Sequence, residues 1–108
     1  MILVRADAYR PHLGEAFAAC TEAGLRADLT LESVQAFETP ATEGFSLLFT
    51  GPRSVLLPQG SHTLEHPALG RLELFLVPVM DPRAEVYTYE AIFNHLRPAA
   101  QVPLSGGA

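Results

Sequence analysis

From Phe45 to Val79 the chain reads FSLLFTGPRSVLLPQGSHTLEHPALGRLELFLVPV, a series of strand-sized apolar runs cut by glycine and proline. A helix must run unbroken for about ten residues before it can bury a stripe of side chains. Prolines 52, 58, 67 and 78, with Gly60 and Gly70 between them, deny it that length here. The middle of this polypeptide therefore pleats. Phe45, Leu47 and Phe49 form one face of a strand that Gly51-Pro52 closes, Gln59-Gly60 makes a turn, and Ser61 to His66 is a polar strand anchored by Leu64. Pro67 and Gly70 close it, and the next run starts half wet, with Leu72 and Leu74 opposed by Arg71 and Glu73. It then turns apolar on both faces through Phe75-Leu76-Val77, which predicts that its far half is covered on two sides.

The flanks carry the same period. Leu25, Ala27, Leu29 and Leu31 alternate with Arg26, Asp28, Thr30 and Glu32 before the apolar set moves to Val34 and Ala36. That slip of one predicts a β-bulge near Glu32-Ser33. Val86 to His95 gives a last strand with Tyr87, Tyr89, Ala91 and Phe93 on one face, after an Asp81-Pro82 turn. Near the start, Asp7 to Gly14 suits a helical turn or two, with Pro11 in its first turn, Tyr9 and Leu13 on one face and Gly14 as its stop. Glu15 to Gly24, EAFAACTEAG, favours a helix by propensity, but its length decides nothing by itself. The expectation is an all-β single domain over residues 1–97, a small antiparallel barrel or sandwich of six to seven strands with a short N-terminal helical turn. Residues 98–108 have the composition of a flexible tail.

Composition narrows the function classes. The chain has 108 residues, a charged fraction of 18% and a net charge of −5, so apolar surface is left uncovered and an oligomer or protein partner is expected. Lysine is absent, which removes Schiff-base and P-loop chemistry, and the seven arginines are spread singly rather than clustered for nucleic acid. Cys20 stands alone, so neither an internal disulfide nor a thiolate zinc site can form, and it reads as a small buried apolar residue. The MILVRADAYRP start does not fit a signal peptide, and the apolar runs fall far short of the ~20 residues of a membrane helix. Synthesis in the cytoplasm is expected, with incorporation into an extracellular or virion-like assembly left open.

Tempting sites dissolve on inspection. His62 and His66 lie in an extended segment, where residues four apart are roughly 13 Å from each other at ~3.3 Å per residue. They cannot share a zinc ion by themselves; His12 or His95 would have to complete a site, and the simpler reading is two partly exposed histidines flanking Leu64. Ser61 and His62 point to opposite faces. Glutamates 65, 73 and 90 could be drawn as an acid pair, but nine glutamates supply such pairs by chance. The Tyr87/Tyr89/Phe93 stripe is core or a contact surface. Gly106-Gly107-Ala108 has the look of a modifier precursor end, without the central helix of such proteins.

Five motifs, Phe45-Ser-Leu-Leu-Phe-x-Gly-Pro52, Leu57-Pro-Gln-Gly60, Leu64-Glu-His-Pro-x-Leu-Gly70, Leu74-Phe-Leu-Val-Pro78 and Tyr89-Glu-Ala-x-Phe-Asn94, resemble in order and spacing a bacterial family, the domain-of-unknown-function family 6916. Tyr9-x-Pro-x-Leu-Gly-x-x-Phe17 resembles that family's N-terminal motif, in which the glycine leads into a strand; on this resemblance Glu15 to Cys20 is a strand. The resemblance implies a small β domain without assigned activity, often encoded beside phage-tail-collar-like fibre proteins. Ser61-His62 departs from the aromatic expected near position 62. Gly51-Pro52, Gln59-Gly60 and Gly70 then read as turn chemistry, and Phe45, Phe49, Phe75 and Phe93 as core. The expected function is a non-enzymatic structural or interaction module of a fibre or phage-tail-like assembly, without cofactor or metal, with Phe75, Val77, Tyr87 and Tyr89 as its candidate surface. Alternatives are a small-ligand-binding barrel with Tyr87 and Tyr89 at its mouth, and a small hydrolase using His62 and glutamates.

Overall fold

A computed structural model describes residues 5–83 and 85–96, excluding the side chains of His95 and Leu96. The 98–108 tail, with Gly106-Gly107-Ala108, lies outside the described residues, as does the side chain of His95 as a ligand. A four-residue helix, α1 (Ala6–Tyr9), runs into a 3-10 turn (Arg10–His12), and six strands follow: β1 (Ala16–Cys20), β2 (Arg26–Glu38), β3 (Thr42–Pro52), β4 (Gly60–His66), β5 (Gly70–Val79) and β6 (Val86–Leu96). All pairings are antiparallel, and the order β1-β2-β3-β6-β5-β4 closes into a barrel through β4 and β1.

Of the expected Glu15 to Cys20 strand, Ala16 to Cys20 pairs despite its alanines, because Phe17 and Ala19 point inward and both edges find partners, β2 on one side and β4 on the other. Tertiary pairing outweighs the helix propensity of single residues. Gly14, at φ +84°, turns the chain out of the 3-10 segment and hands its N–H to the Leu31 carbonyl at 2.8 Å. The register of β2 against β3 shifts between Leu31 and Ser33, the bulge that the phase slip predicts.

The barrel is filled rather than hollow. Phe17, Leu29, Leu47, Phe49, Leu64 and Leu76 are all 0% exposed inside it, the packing expected of a small barrel whose taper is occupied by side chains. Both ends are plugged. At one, Tyr9 of α1 is wholly buried against the rings of Phe45 (5.7 Å) and Phe93 (6.0 Å), which are themselves stacked at 4.5 Å. Burial pushes the Tyr9 hydroxyl up to about 12. At the other, the 53–59 crossover carries Leu57 into the core. The Tyr89 hydroxyl accepts the Leu57 N–H at 3.0 Å and faces the Val55 carbonyl at 3.4 Å.

Several sequence expectations need correction. Gly51 is no turn residue: it sits inside β3 opposite Tyr87, where a Cβ would lie 2.6 Å from Leu29 Cδ2, so it is a close-packing position. Pro52 does end that strand, its carbonyl closing a turn with the Val55 N–H. Gln59 occupies a bend, Gly60 opens β4, and Gly70 takes φ +77° where the β4–β5 turn needs it. Phe75 is not core but 53% exposed, and the outer side of β5 at Phe75 and Val77 is not fully covered within the described chain. Leu13 is exposed although Tyr9 is buried, because the 3-10 turn breaks their shared face, and Cys20 is half-buried.

Candidate functional site

The cluster richest in titratable groups joins three elements: His12 ends the 3-10 turn, Glu15 precedes β1 and His66 ends β4. Glu15 Oε1 lies 2.8 Å from His12 Nδ1 and 2.7 Å from His66 Nε2. The two imidazoles meet edge to face at 4.5 Å, and Phe17 backs the His66 ring at 4.6 Å. His62 and His66 are buried, at 6% and 7% exposure, which corrects the expectation that they are partly exposed; with Leu64 they form the inward face of β4.

The tautomers follow from the partners. His66 Nδ1 accepts the backbone N–H groups of Ala68 at 3.0 Å and Leu69 at 3.3 Å, so its proton sits on Nε2 and is donated to Glu15. His12 donates from Nδ1 to the same oxygen. These two bonds, His12 first, hold the Glu15 carboxyl below the usual carboxylate range.

Two histidines and a carboxylate invite a zinc ion, yet His66 offers no lone pair at Nε2 while its Nδ1 caps the β4–β5 turn. The 2.7–2.8 Å contacts are also hydrogen-bond lengths, shorter than the ~3.4 Å between neighbouring ligand atoms around a tetrahedral ion with ~2.1 Å bonds. The arrangement is a hydrogen-bonded clasp that fastens the N-terminal turn to the β4–β5 turn. Neither histidine bonds a Ser, Thr or Cys side chain among the described residues.

The clasp has a pH signature. A carboxyl with a lowered folded-state pKa stabilises the fold above its unfolded pKa, and that contribution is lost as pH falls through the folded value. Glu15→Gln is therefore expected to lower the urea midpoint at neutral pH, and the gap to the wild type should close in acid. A gap that stays constant from neutral pH to below the carboxylate range would show that the Glu15 charge contributes nothing.

The hydrolase constellation is not assembled. His62 donates from Nε2 to the Pro58 carbonyl at 2.6 Å, while Ser61, Glu65 and Glu73 alternate onto the outer face and Glu90 does the same on β6. His62 Nδ1 is buried and unpartnered among the described residues. Thr63 donates to Glu73, and Arg71 reaches Glu65 at 3.4 Å.

Of the predicted surface, Phe75 and Val77 do face outward on β5, and Tyr87 is half-buried beneath the Arg53 guanidinium at 4.5 Å. Tyr89 is corrected: at 0% exposure it offers nothing to a partner, and its ring is core while its hydroxyl pins the crossover. Burial, ahead of the opposing Leu57 bond, raises its pKa. Sequence reasoning missed the clasp because His66 is far from His12 and Glu15 in the chain. The only local signal was His12-x-x-Glu15 at the mouth of a strand.

Residues 4–93 match the family model described as a domain of unknown function, DUF6916. The chain belongs to that family. No curated protein and no solved structure matches it. For this DUF6916 domain the geometry of its own side chains thus carries the functional argument, and three features are available: the clasp, the filled barrel, and the outer face of β5 and β6.

Proposed function

We propose that this chain is a non-enzymatic docking module, associating with copies of itself or with a larger assembly, in the form of an accessory part of a bacterial fibre or phage-tail-like structure. One observation carries the reading. β5 and β6 pair only from Val77–Glu90 to Val79–Thr88, so residues 70–76 of β5 and 91–96 of β6 each have one backbone edge without a strand partner among the described residues. The next outward positions beyond the Val77–Glu90 pair are Phe75 and Ile92, 53% and 60% exposed.

Open edges flanked by large apolar side chains are where added strands bind, and soluble proteins usually guard them with charge or proline. Residues 91–96, Ala-Ile-Phe-Asn-His-Leu, contain neither proline nor a carboxylate or arginine. The filled interior supports the same reading against a ligand-binding barrel, because its plugged ends leave the outside as the working surface. The association with phage-tail-collar-like proteins implied by the resemblance points to the kind of assembly.

Light scattering at micromolar to millimolar concentration is expected to show association that the double substitution Phe75→Ser, Ile92→Thr abolishes while leaving the circular dichroism spectrum intact. A wild-type chain that stays monomeric throughout and recovers no protein partner in a pull-down from its native host would end the proposal.

A further inference from the structure

A second surface lies at the plugged end of the barrel, where the 53–59 crossover meets the β5–β6 loop. A concavity of about 270 Å³ is lined there by Arg53, Leu56, Val79, Met80 and Tyr87, with Asp81 at its rim. Met80 is 98% exposed and Leu56 50%, so two large apolar side chains that line this concavity with the half-buried Tyr87 stand in water. Met, Tyr and Arg are the residue types that interfaces concentrate.

The charges decide what fits. Arg53 lies over the Tyr87 ring, and its N–H donors have no hydrogen-bond or ion-pair acceptor among the described residues. The acid at the rim does not answer it. Asp81 is occupied by Arg83, at 2.7 and 3.0 Å, and by the Thr88 hydroxyl, while Arg83 also forks onto Glu32 at 2.7 and 3.0 Å. Two other concavities, of about 550 Å³ each, carry more acids: one holds Arg26 and Arg71 with Asp28 and Glu65, of which Arg71 reaches Glu65, and the other holds Arg5 and Arg10 with Asp7, Glu38 and Glu43, of which Arg10 pairs with Asp7. The Arg53 groove differs in its wall, which is mostly apolar, and in holding a single acid, Asp81, that other side chains already occupy.

We propose that this groove docks an extended protein segment that carries a carboxylate within a residue or two of a large apolar side chain. The carboxylate takes the planar fork of Arg53, already aligned by its stacking on Tyr87, and the apolar side chain lies between Leu56 and Met80. Nucleic acid fits less well: one guanidinium on a chain of net charge −5 neutralises one phosphate and repels the rest. The inference rests on the docking reading above and names a partner chemistry at a different face of the domain.

The test is selection of a phage-displayed random peptide library on the full chain, followed by titration of the leading synthetic peptide. Enriched sequences are expected to place Asp or Glu within two positions of Leu, Ile, Met or Phe. The leading peptide should bind Arg53→Gln roughly 10- to 100-fold more weakly, the effect of losing hydrogen bonds to a charged group, and Met80→Ser should weaken it too. Both positions are exposed, so the variants keep the fold. Enrichment of basic or uncharged peptides, unchanged affinity for Arg53→Gln, or equal binding of a single-stranded oligonucleotide would overturn the inference. Binding lost with Phe75→Ser but not with Arg53→Gln would overturn it while sparing the docking reading, and no enrichment on any surface would count against both.

Discussion

Phe17→Ala should strip this protein of a large part of its folding stability. Phe17 is the second residue of β1, opposite Leu29, wholly buried, edge-on to Phe49 at 5.3 Å and backing His66 at 4.6 Å. Truncating a buried phenylalanine costs about 3–5 kcal/mol, the lost transfer energy plus the cavity left behind. A domain of this size has a total stability of roughly 5–15 kcal/mol, so the loss consumes a large part of the whole. Urea unfolding followed by tyrosine fluorescence would read it directly. The milder Phe17→Leu keeps the fold and isolates a second consequence: the His66 ring loses its flat wall, and its ring protons should broaden or shift by NMR together with those of His12. If Phe17→Ala cost under 1 kcal/mol, the filled-barrel description would be wrong, because a hollow interior could collapse around a smaller residue without penalty.

What the sequence revealed of this fold, and what it concealed, divides along a physical line. Alternation is a local property, and it marked the inward Leu29 and Leu31, the slip at Glu32-Ser33 and the inward Phe45, Leu47 and Phe49, although Leu25 lies before β2 and is exposed. Glu15 to Cys20 was legible only through family resemblance, since its propensity points to helix and its strand pairing comes from partners distant in sequence. The fate of a single residue depends on which strand lies opposite. Phe75 and Tyr89 are both aromatics of a kind that fills cores, yet Phe75 shares the Arg71–Glu73 face and emerges where the β5–β6 ladder ends, while Tyr89 turns inward and drops its hydroxyl onto the crossover. The clasp was concealed for the same reason: nothing in the spacing of His12, Glu15 and His66 announces that barrel closure brings the end of β4 beside the N-terminal turn. Gly51 was read as a turn because it precedes Pro52, whereas the neighbour that requires a glycine there is Leu29 on the adjacent strand.

Gly44→Ala should split the sheet at the far end of β3. A Cβ built on Gly44 would sit 2.0 Å from the Phe93 carbonyl oxygen and 3.0 Å from the Asn94 Cα, both backbone atoms of β6, and 2.8 Å from the tip of the Phe37 ring. The ring can swing aside, since Phe37 is already 36% exposed. The backbone of β6 cannot, because its register with β3 continues unbroken from Pro52–Val86 to Thr42–Leu96. Relief must come from parting the two strands, which also pulls apart the neighbouring Phe45–Phe93 stack that Tyr9 leans on. A cost of about 3 kcal/mol, the upper end of the overpacking range, is expected. It should be concentrated in hydrogen exchange of the 42–48 and 91–96 amides, with β1 and β4 protected as before. Because 91–96 is also the open edge assigned to docking, the same substitution should weaken association even under conditions where the barrel stays folded. A Gly44→Ala chain with unchanged melting and unchanged exchange at residues 91–96 would mean that β6 already stands away from β3 there, and the open edge would have to be sought on another strand.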